Sequence, residues 1–298
     1  MKVLSFLLLF ICFSCQEQPK QIEAIRAPAS LSEFSCPDGY SLVPANIDLG
    51  VKEDFCVMKF EAKNNSGSPV STDEGSPWVN ITPVEAKVAC ESLNAKDGVV
   101  GKYDLITNNE WMTIARNIEN VGENWRDSDS LFDHQVGYGC LKRGNVGVND
   151  LCQYDGNDPD FGAIEDATSE RLEKAKLHLS NGHDVWDLSG NVWEWVNYKA
   201  GPTYEKGPKT CGNSTNQLFE KSCVDLKAED YLPGNPANIS PLFYDFNYGL
   251  GELQGGVGGS MSRGGSWNNG IHVGIFSLNL FHDSPQYADW GFRCVFHQ

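Results

Sequence analysis

Few groups in this chain could carry chemistry. The segment Asp187-Leu188-Ser189-Gly190-Asn191-Val192-Trp193-Glu194 sets two hard oxygen donors, Asp187 and Glu194, on either side of the turn Ser189-Gly190-Asn191. Calcium takes roughly six to eight oxygens, including backbone carbonyls of tight turns, so this segment is a candidate calcium loop. The plainer alternative is a hydrogen-bonded turn in which Glu194 caps local amides. The six histidines, His134, His178, His183, His272, His282 and His297, fit no standard metal spacing and read as solvated surface residues. Neither H-E-x-x-H nor G-x-S-x-G occurs, which leaves a zinc protease or a serine hydrolase without support.

The remaining reactive groups are cysteines, and what they do depends on compartment. Met1-Lys2 precedes an apolar run, Val3 to Phe13, too short to span a bilayer. Small Ser14 then leads into Cys15 and polar Gln16-Glu17-Gln18. This resembles a bacterial lipoprotein signal, with cleavage before Cys15 and acylation of that cysteine. Cys12 stands where such signals usually carry leucine, and the alternative is an ordinary secretory signal cut nearby. Either way the mature chain leaves the cytoplasm, and Gln16 after the cysteine favours the outer membrane. The expected organisation is a signal peptide over 1–14, a lipidated tether over 15–35 and a folded domain over 36–298.

Eight cysteines follow the tether, with no C-x-x-C pair among them, so zinc and thioredoxin readings lack support. An even count in an oxidising compartment reads as four disulfides. Cys36 and Cys56 would tie the first strand region to the second. Cys140 with Cys152, and Cys211 with Cys223, would each staple a local loop.

Composition removes other classes. Asp and Glu number 40 against 23 Lys and Arg, a formal net charge of −17. Phosphate binding needs a basic face, so nucleic acid is not an expected partner. After residue 15 no segment approaches the roughly 18 apolar residues of a spanning helix. The expected membrane contact is the lipid alone, and the acidity favours a cationic, neutral or calcium-bridged ligand.

The elements that must position these groups are partly legible. Thr82-Pro83-Val84-Glu85 and Thr107-Asn108-Asn109-Glu110 read as capping boxes. Ala86, Ala89, Cys90 and Leu93 form a buried stripe on the first helix, and Trp111, Ile114, Ala115 and Ile118 one on the second. Ser41–Pro44 and Phe55–Glu61 read as strands, the second alternating Phe55, Val57 and Lys59 with Cys56, Met58 and Phe60. A short helix is predicted around 169–179. Residues 199–250, rich in Gly, Pro and Asn, read as a surface excursion.

Three segments together resemble the formylglycine-generating enzyme (sulfatase-modifying factor) family. They are Tyr103-Asp104-Leu105-Ile106-Thr107-Asn108-Asn109-Glu110-Trp111, preceded by Trp78–Thr82 and the Cys90 helix; Gly190-Asn191-Val192-Trp193-Glu194-Trp195; and Arg263-Gly264-Gly265-Ser266-Trp267 with Gly291-Phe292-Arg293-Cys294. The resemblance covers about residues 36–298. It implies an α+β, C-type-lectin-like fold with two main helices, antiparallel sheets and many loops. It also implies a Cys90–Cys294 disulfide and a structural calcium at Asp187, Gly190, Val192 and Glu194. The family's second calcium site has no convincing counterpart in residues 150–180.

The oxidising members of that family bind Cu(I) through two cysteines soon after Arg-Gly-Gly-Ser, soft thiolates suiting a soft ion. That pattern falls here on Asn269 and Gly274, and no cysteine lies between Cys223 and Cys294. Copper is therefore not expected, and neither is formylglycine formation. On related lectin-like folds the segment Asn268–Asp289 forms the ligand face. It holds Asn268, Asn269, His272, Asn279, His282, Asp283, Gln286 and Tyr287, amides interleaved with rings that suit carbohydrate or protein recognition. Phe276, Leu278 and Leu280 alternate and read equally well as a buried strand. Three functions stay open: a non-catalytic, lipid-anchored module binding a glycan or envelope protein; a metal-dependent oxidoreductase with an altered site using His272 or His282; and a structural envelope or motility lipoprotein.

Overall fold

Each predicted capping box starts a helix. Thr82 Oγ1 accepts from the Glu85 amide at 3.2 Å while the Glu85 carboxylate accepts from the Thr82 amide at 2.8 Å, launching α1 (Pro83–Ser92). Thr107 and Glu110 repeat the exchange at 3.3 and 2.7 Å to launch α2 (Asn108–Glu119). Reciprocal bonds of this kind satisfy amides that a helix start leaves without partners. The stripes of both helices are buried, Ala86, Ala89 and Cys90 on α1 and Trp111, Ile114, Ala115 and Ile118 on α2, with Leu93 buried just past α1. The structure, a computed structural model, describes residues 34–95, 100–126, 135–136, 139–146, 152, 175–198, 249–251, 253–254, 260–281 and 286–298. The expected Cys15 lipidation site, the tether and the Cys211–Cys223 pair lie outside the described residues.

Strands β1 (Tyr40–Val43) and β2 (Phe55–Met58) precede a small hairpin, β3 (Lys63–Asn65) with β4 (Ser68–Val70). β5 (Lys102–Leu105) lies between the helices. Two further hairpin-like pairs follow, β6 (Trp125–Arg126) with β7 (Cys140–Leu141), and β8 (Lys176–His178) with β9 (Asp184–Trp186). The last strands are β10 (Trp193–Val196), β11 (Leu253–Gln254), β12 (Ser260–Arg263), β13 (Leu278–Phe281), β14 (Trp290–Phe292) and β15 (Cys294–His297). A four-stranded antiparallel sheet runs β1-β2-β15-β5, with Val295 opposite Val57 and Cys294 opposite Leu105. A five-stranded sheet runs β11-β13-β12-β10-β14. It sets Glu194 between Arg263 and Gly291.

Three details depart from the sequence reading. The five-stranded sheet is mixed, because β10 with β14 and β11 with β13 pair in parallel. All four residues of β2 are buried, so its alternation separates two covered faces rather than core from solvent. The end of the short helix predicted around 169–179 is strand β8 instead: Asn124 bonds the His178 amide and carbonyl, and β8 pairs with β9.

The apolar core gathers α2, both sheets and the connecting loops, from Val43 and Phe55 through Trp111 and Trp125 to Phe276 and Val295. Disulfides join Cys36 to Cys56, Cys140 to Cys152 and Cys90 to Cys294. The last spans 204 residues and fastens α1 to β15. Among the described residues no helix is long and apolar enough to cross a membrane.

Candidate functional site

The acidic turn is held from three sides. Asp187 and Asn191 sit at φ 59° and 63°, and Gly190 at 101°, a conformation only glycine adopts easily. A Cβ at Gly190 would also collide with the Asn145 carbonyl. Asn145 accepts from the Asn191 amide at 2.7 Å, Asn191 accepts from the Trp267 amide at 2.9 Å, and Ser189 accepts from the Gly144 amide at 2.8 Å. The turn thus rests against the loop after β7 and against the Arg263–Trp267 turn.

Beneath it lies a charge cluster that sequence reasoning found only in part. Glu194 is fully buried, and both its oxygens accept from the Arg293 guanidinium, Oε2 from Nε at 2.5 Å and Oε1 from Nη2. Arg293 completes its fork on the carbonyls of Met58 at 3.1 Å and Trp186 at 3.0 Å. Glu61, outside every candidate set read from sequence, is also fully buried. Its Oε2 accepts from Asn191 Nδ2 at 2.6 Å and its Oε1 from the Val192 amide at 3.1 Å. Burial, then the nearby Asp187 and Glu194 charges, push the Glu61 carboxyl well above the usual range. Burial raises Glu194 as well, against the pull of Arg293. The Arg293 guanidinium is held charged: burial opposes its charge, and Glu194, Glu61 and Asp187 more than offset that. The one signal for Glu61 in the sequence was an acid ending a mostly apolar strand run, Phe55–Glu61. Glu194 thus binds a guanidinium with both oxygens rather than capping local amides.

Three buried acids, Glu61, Asp187 and Glu194, lie in the field of the Arg293 guanidinium, and Lys63 acts on Glu61 as well. Ser189 Oγ is buried close by in sequence with no hydrogen-bond partner among the described residues. Among the described residues no three His, Cys, Asp or Glu side chains converge as a metal cluster, so an ion here would need backbone carbonyls. In donor type the residues fit a hard divalent cation: carboxylate oxygens plus the carbonyls of a turn whose φ values curl it tightly.

The ligand segment read from sequence is divided by the fold. Asn269 closes the Arg-Gly-Gly-Ser turn, its Oδ1 accepting from the Ser266 amide at 3.0 Å and the Ser266 hydroxyl at 2.8 Å. Ser266 Oγ also bonds Asp289 Oδ2 at 2.8 Å. Asn268 is exposed beside this turn. Gln286 donates to the Glu85 carboxylate at 3.1 Å, and the carbonyl of exposed Tyr287 accepts from the Asn80 amide at 3.0 Å, so this stretch lies along the start of α1. His272 sits elsewhere, in a short turn clamped by Arg143, which donates to the Ile271 and Val273 carbonyls. Asn279 is buried within β13, opposite Ser262 and Gln254. His282 and Asp283 lie outside the described residues. Phe276 and Leu278 are both buried, as the strand reading required, but only Leu278 lies in β13; Phe276 sits in the turn before it.

Gly274 has no room for any side chain: a Cβ there would stand in the backbone of Leu250 and Gly251. All six cysteines for which the structure describes side-chain bonding are in disulfides.

A family model described as the sulfatase-modifying factor enzyme 1-like domain matches residues 33–298. No curated protein sequence matches the chain. Among solved structures, PvdO from Pseudomonas aeruginosa is 13% identical, covering 87% of this chain and 92% of its own, with a TM-score of 0.40. Treponema denticola variable protein 1 is 13% identical over 83% of this chain and 85% of its own, TM-score 0.39. CarF is 16% identical over 83% and 87%, TM-score 0.37.

Proposed function

Since the chain belongs to the sulfatase-modifying factor enzyme 1-like family, we propose that it uses the family fold without the family's copper chemistry, as a lipid-anchored cell-envelope protein that binds a ligand or partner. The observation that carries this reading is the fate of the two positions where the oxidising relatives hold their thiols. Asn269 is a hydrogen-bond acceptor that shapes the Ser266 turn. Gly274 lies against backbone with no space for a thiol. Amide and hydrogen cannot bind Cu(I) or relay electrons. The nearest cysteine after them, Cys294, is tied to Cys90. The anchor follows from the Ser14-Cys15-Gln16 signal, with the outer membrane favoured.

The test is oxygen consumption by the full chain in detergent, supplied with Cu(I) and cysteine-containing peptides. The expected rate equals that of Cu(I) and peptide without protein. Peptide-dependent turnover above that control, with aldehyde formed on the cysteine, would overturn the reading.

A structural calcium at the acidic turn is a second part of the proposal, favoured by three neighbouring buried carboxyl groups and by a Ser189 hydroxyl with no partner among the described residues. Asp187, the carbonyls of Gly190 and Val192, and Glu194, which shares its carboxylate with Arg293, would hold it. Its role would be to cross-link the turn and neutralise the cluster. Chelation with EGTA is then expected to lower Tm reversibly. An unchanged Tm would leave a proton on Glu61 as the balancing charge.

A further inference from the structure

Resting on the reading of this domain as a binding module, we propose that the groove between the β3–β4 hairpin and the segment 72–79 binds an oligosaccharide bearing free amino groups. The groove is a shallow, solvent-open depression of about 890 Å³ lined by Asn64, Asn65, Asp73, Glu74, Trp78 and Val79, among others. That volume lies within the range of small-molecule sites, about 300–1,000 Å³. The walls are built firmly. The Trp78 amide donates to the Ala62 carbonyl at 2.7 Å, and Pro77 bridges to Lys63, so the segment returns alongside the hairpin. Trp78 is half-buried, with one side packed edge-on against Phe292 and the rest bordering the groove.

The chemistry of the lining selects the ligand. Asn65, Asp73 and Glu74 are exposed, and their side chains take no partner among the described residues. Planar amides and carboxylates pair with adjacent hydroxyls, and an indole offers a face to a pyranose ring. The one base among the lining residues, Lys63, already has a partner and stands in the field of buried Glu61. Two unengaged carboxylates therefore set the sign of the groove, and a charge-assisted bond to an ammonium is stronger than one to a neutral hydroxyl. Next after Val79, the last lining residue, comes Asn80, exposed, at φ 54° and with no side-chain partner among the described residues; its amide donates to the carbonyl of exposed Tyr287. Asn80 and Tyr287 thereby extend the site toward a second residue with an amide and a second ring.

The experiment is calorimetric titration of the full chain in detergent with the glucosamine tetramer, its N-acetylated counterpart and a galacturonic acid tetramer. The glucosamine tetramer is expected to bind with one-site saturation, the acetylated form at least about tenfold more weakly, and the acidic form not at all. Asp73→Asn with Glu74→Gln should weaken the first at least about tenfold and bring it level with the acetylated form. Both side chains are exposed, so this variant keeps its fold. Trp78→Phe, which retains an aromatic ring against Phe292, should weaken both sugars in parallel. Absence of saturable binding by the glucosamine tetramer refutes the groove, as does binding indifferent to Asp73 and Glu74. An oligolysine peptide binding in its place with the same carboxylate dependence would replace the saccharide by a basic peptide. A glycan and envelope-protein array separates the two levels. A ligand lost on Asn268→Ala but not on Asp73→Asn with Glu74→Gln sinks the groove alone, while a chain that binds nothing sinks the module reading as well.

Discussion

Replacing Arg293 by methionine tests the buried charge cluster most directly. The substitution keeps most of the side-chain volume and removes four bonds: two to Glu194 and one each to the carbonyls of Met58 and Trp186. Removing one partner of a buried pair costs about 3–5 kcal/mol, because the other charge is left without compensation. Here the imbalance deepens, since Glu61 and Asp187 lie in the same field. The two orphaned carbonyls add about 1 kcal/mol, for a total of about 4–6 kcal/mol. At about 2–4 °C per kcal/mol for a domain of this size, Tm falls by about 8–24 °C. Glu194→Gln should cost less than Arg293→Met, because the guanidinium keeps Glu61 and Asp187 beside it. The double variant should recover part of the single loss. Urea unfolding at neutral pH, run with EGTA throughout to keep calcium out of the comparison, measures all three. Arg293→Met should also lose its deficit as pH falls and the carboxylates take up protons. The reasoning is refuted if Glu194→Gln is as damaging as Arg293→Met, for then Glu61 and Asp187 draw nothing from Arg293 beyond its pairing with Glu194.

Two further perturbations probe other parts of the molecule. His297 Nε2 meets Glu110 Oε1 at 2.5 Å, and that bond raises the imidazole pKa above its usual value. A raised folded pKa stabilises fully below the unfolded value near about 6.5 and is lost as pH rises through the folded one. With the His297 side chain 39% exposed, solvent limits the gain to a few tenths of a kcal/mol, about 1 at most. The stability difference between the wild type and His297→Gln should therefore shrink from about pH 5 to pH 9; a difference that grows with pH would contradict the pairing. Gly274→Cys should destabilise by about 1–3 kcal/mol or more, since its Cβ has to displace the Leu250–Gly251 backbone. The Asn269→Cys, Gly274→Cys double variant should accordingly fail to hold Cu(I) as a tight dithiolate, read by competition with a Cu(I) chelator.

Much of this protein is written in short-range patterns. A capping box needs only a hydroxyl and a carboxylate three residues apart, so Thr82 with Glu85 and Thr107 with Glu110 announce both helices without reference to anything distant. Helical spacing likewise places Cys90 and Trp111 inward. The local pair Cys140–Cys152 follows from proximity in the chain. The absence of thiols at 269 and 274 is legible in the same way, because it is a matter of residue type.

Other features exist only once the chain has closed on itself. Glu61 reaches Asn191 and Val192 across 130 and 131 residues, and Arg293 reaches Met58 across 235. No spacing rule encodes such pairings, and an acid at the end of a strand reads as solvated until three other elements bury it. The ligand segment shows the converse: contiguous in sequence, it is divided because β13 buries Asn279 while the loop before β14 carries Gln286 and Tyr287 to α1. Local propensity and residue chemistry thus belong to the sequence itself. Which charges share a dielectric interior, and which side chains share a face, is decided by long-range packing, where burial multiplies the consequence of every unmatched charge.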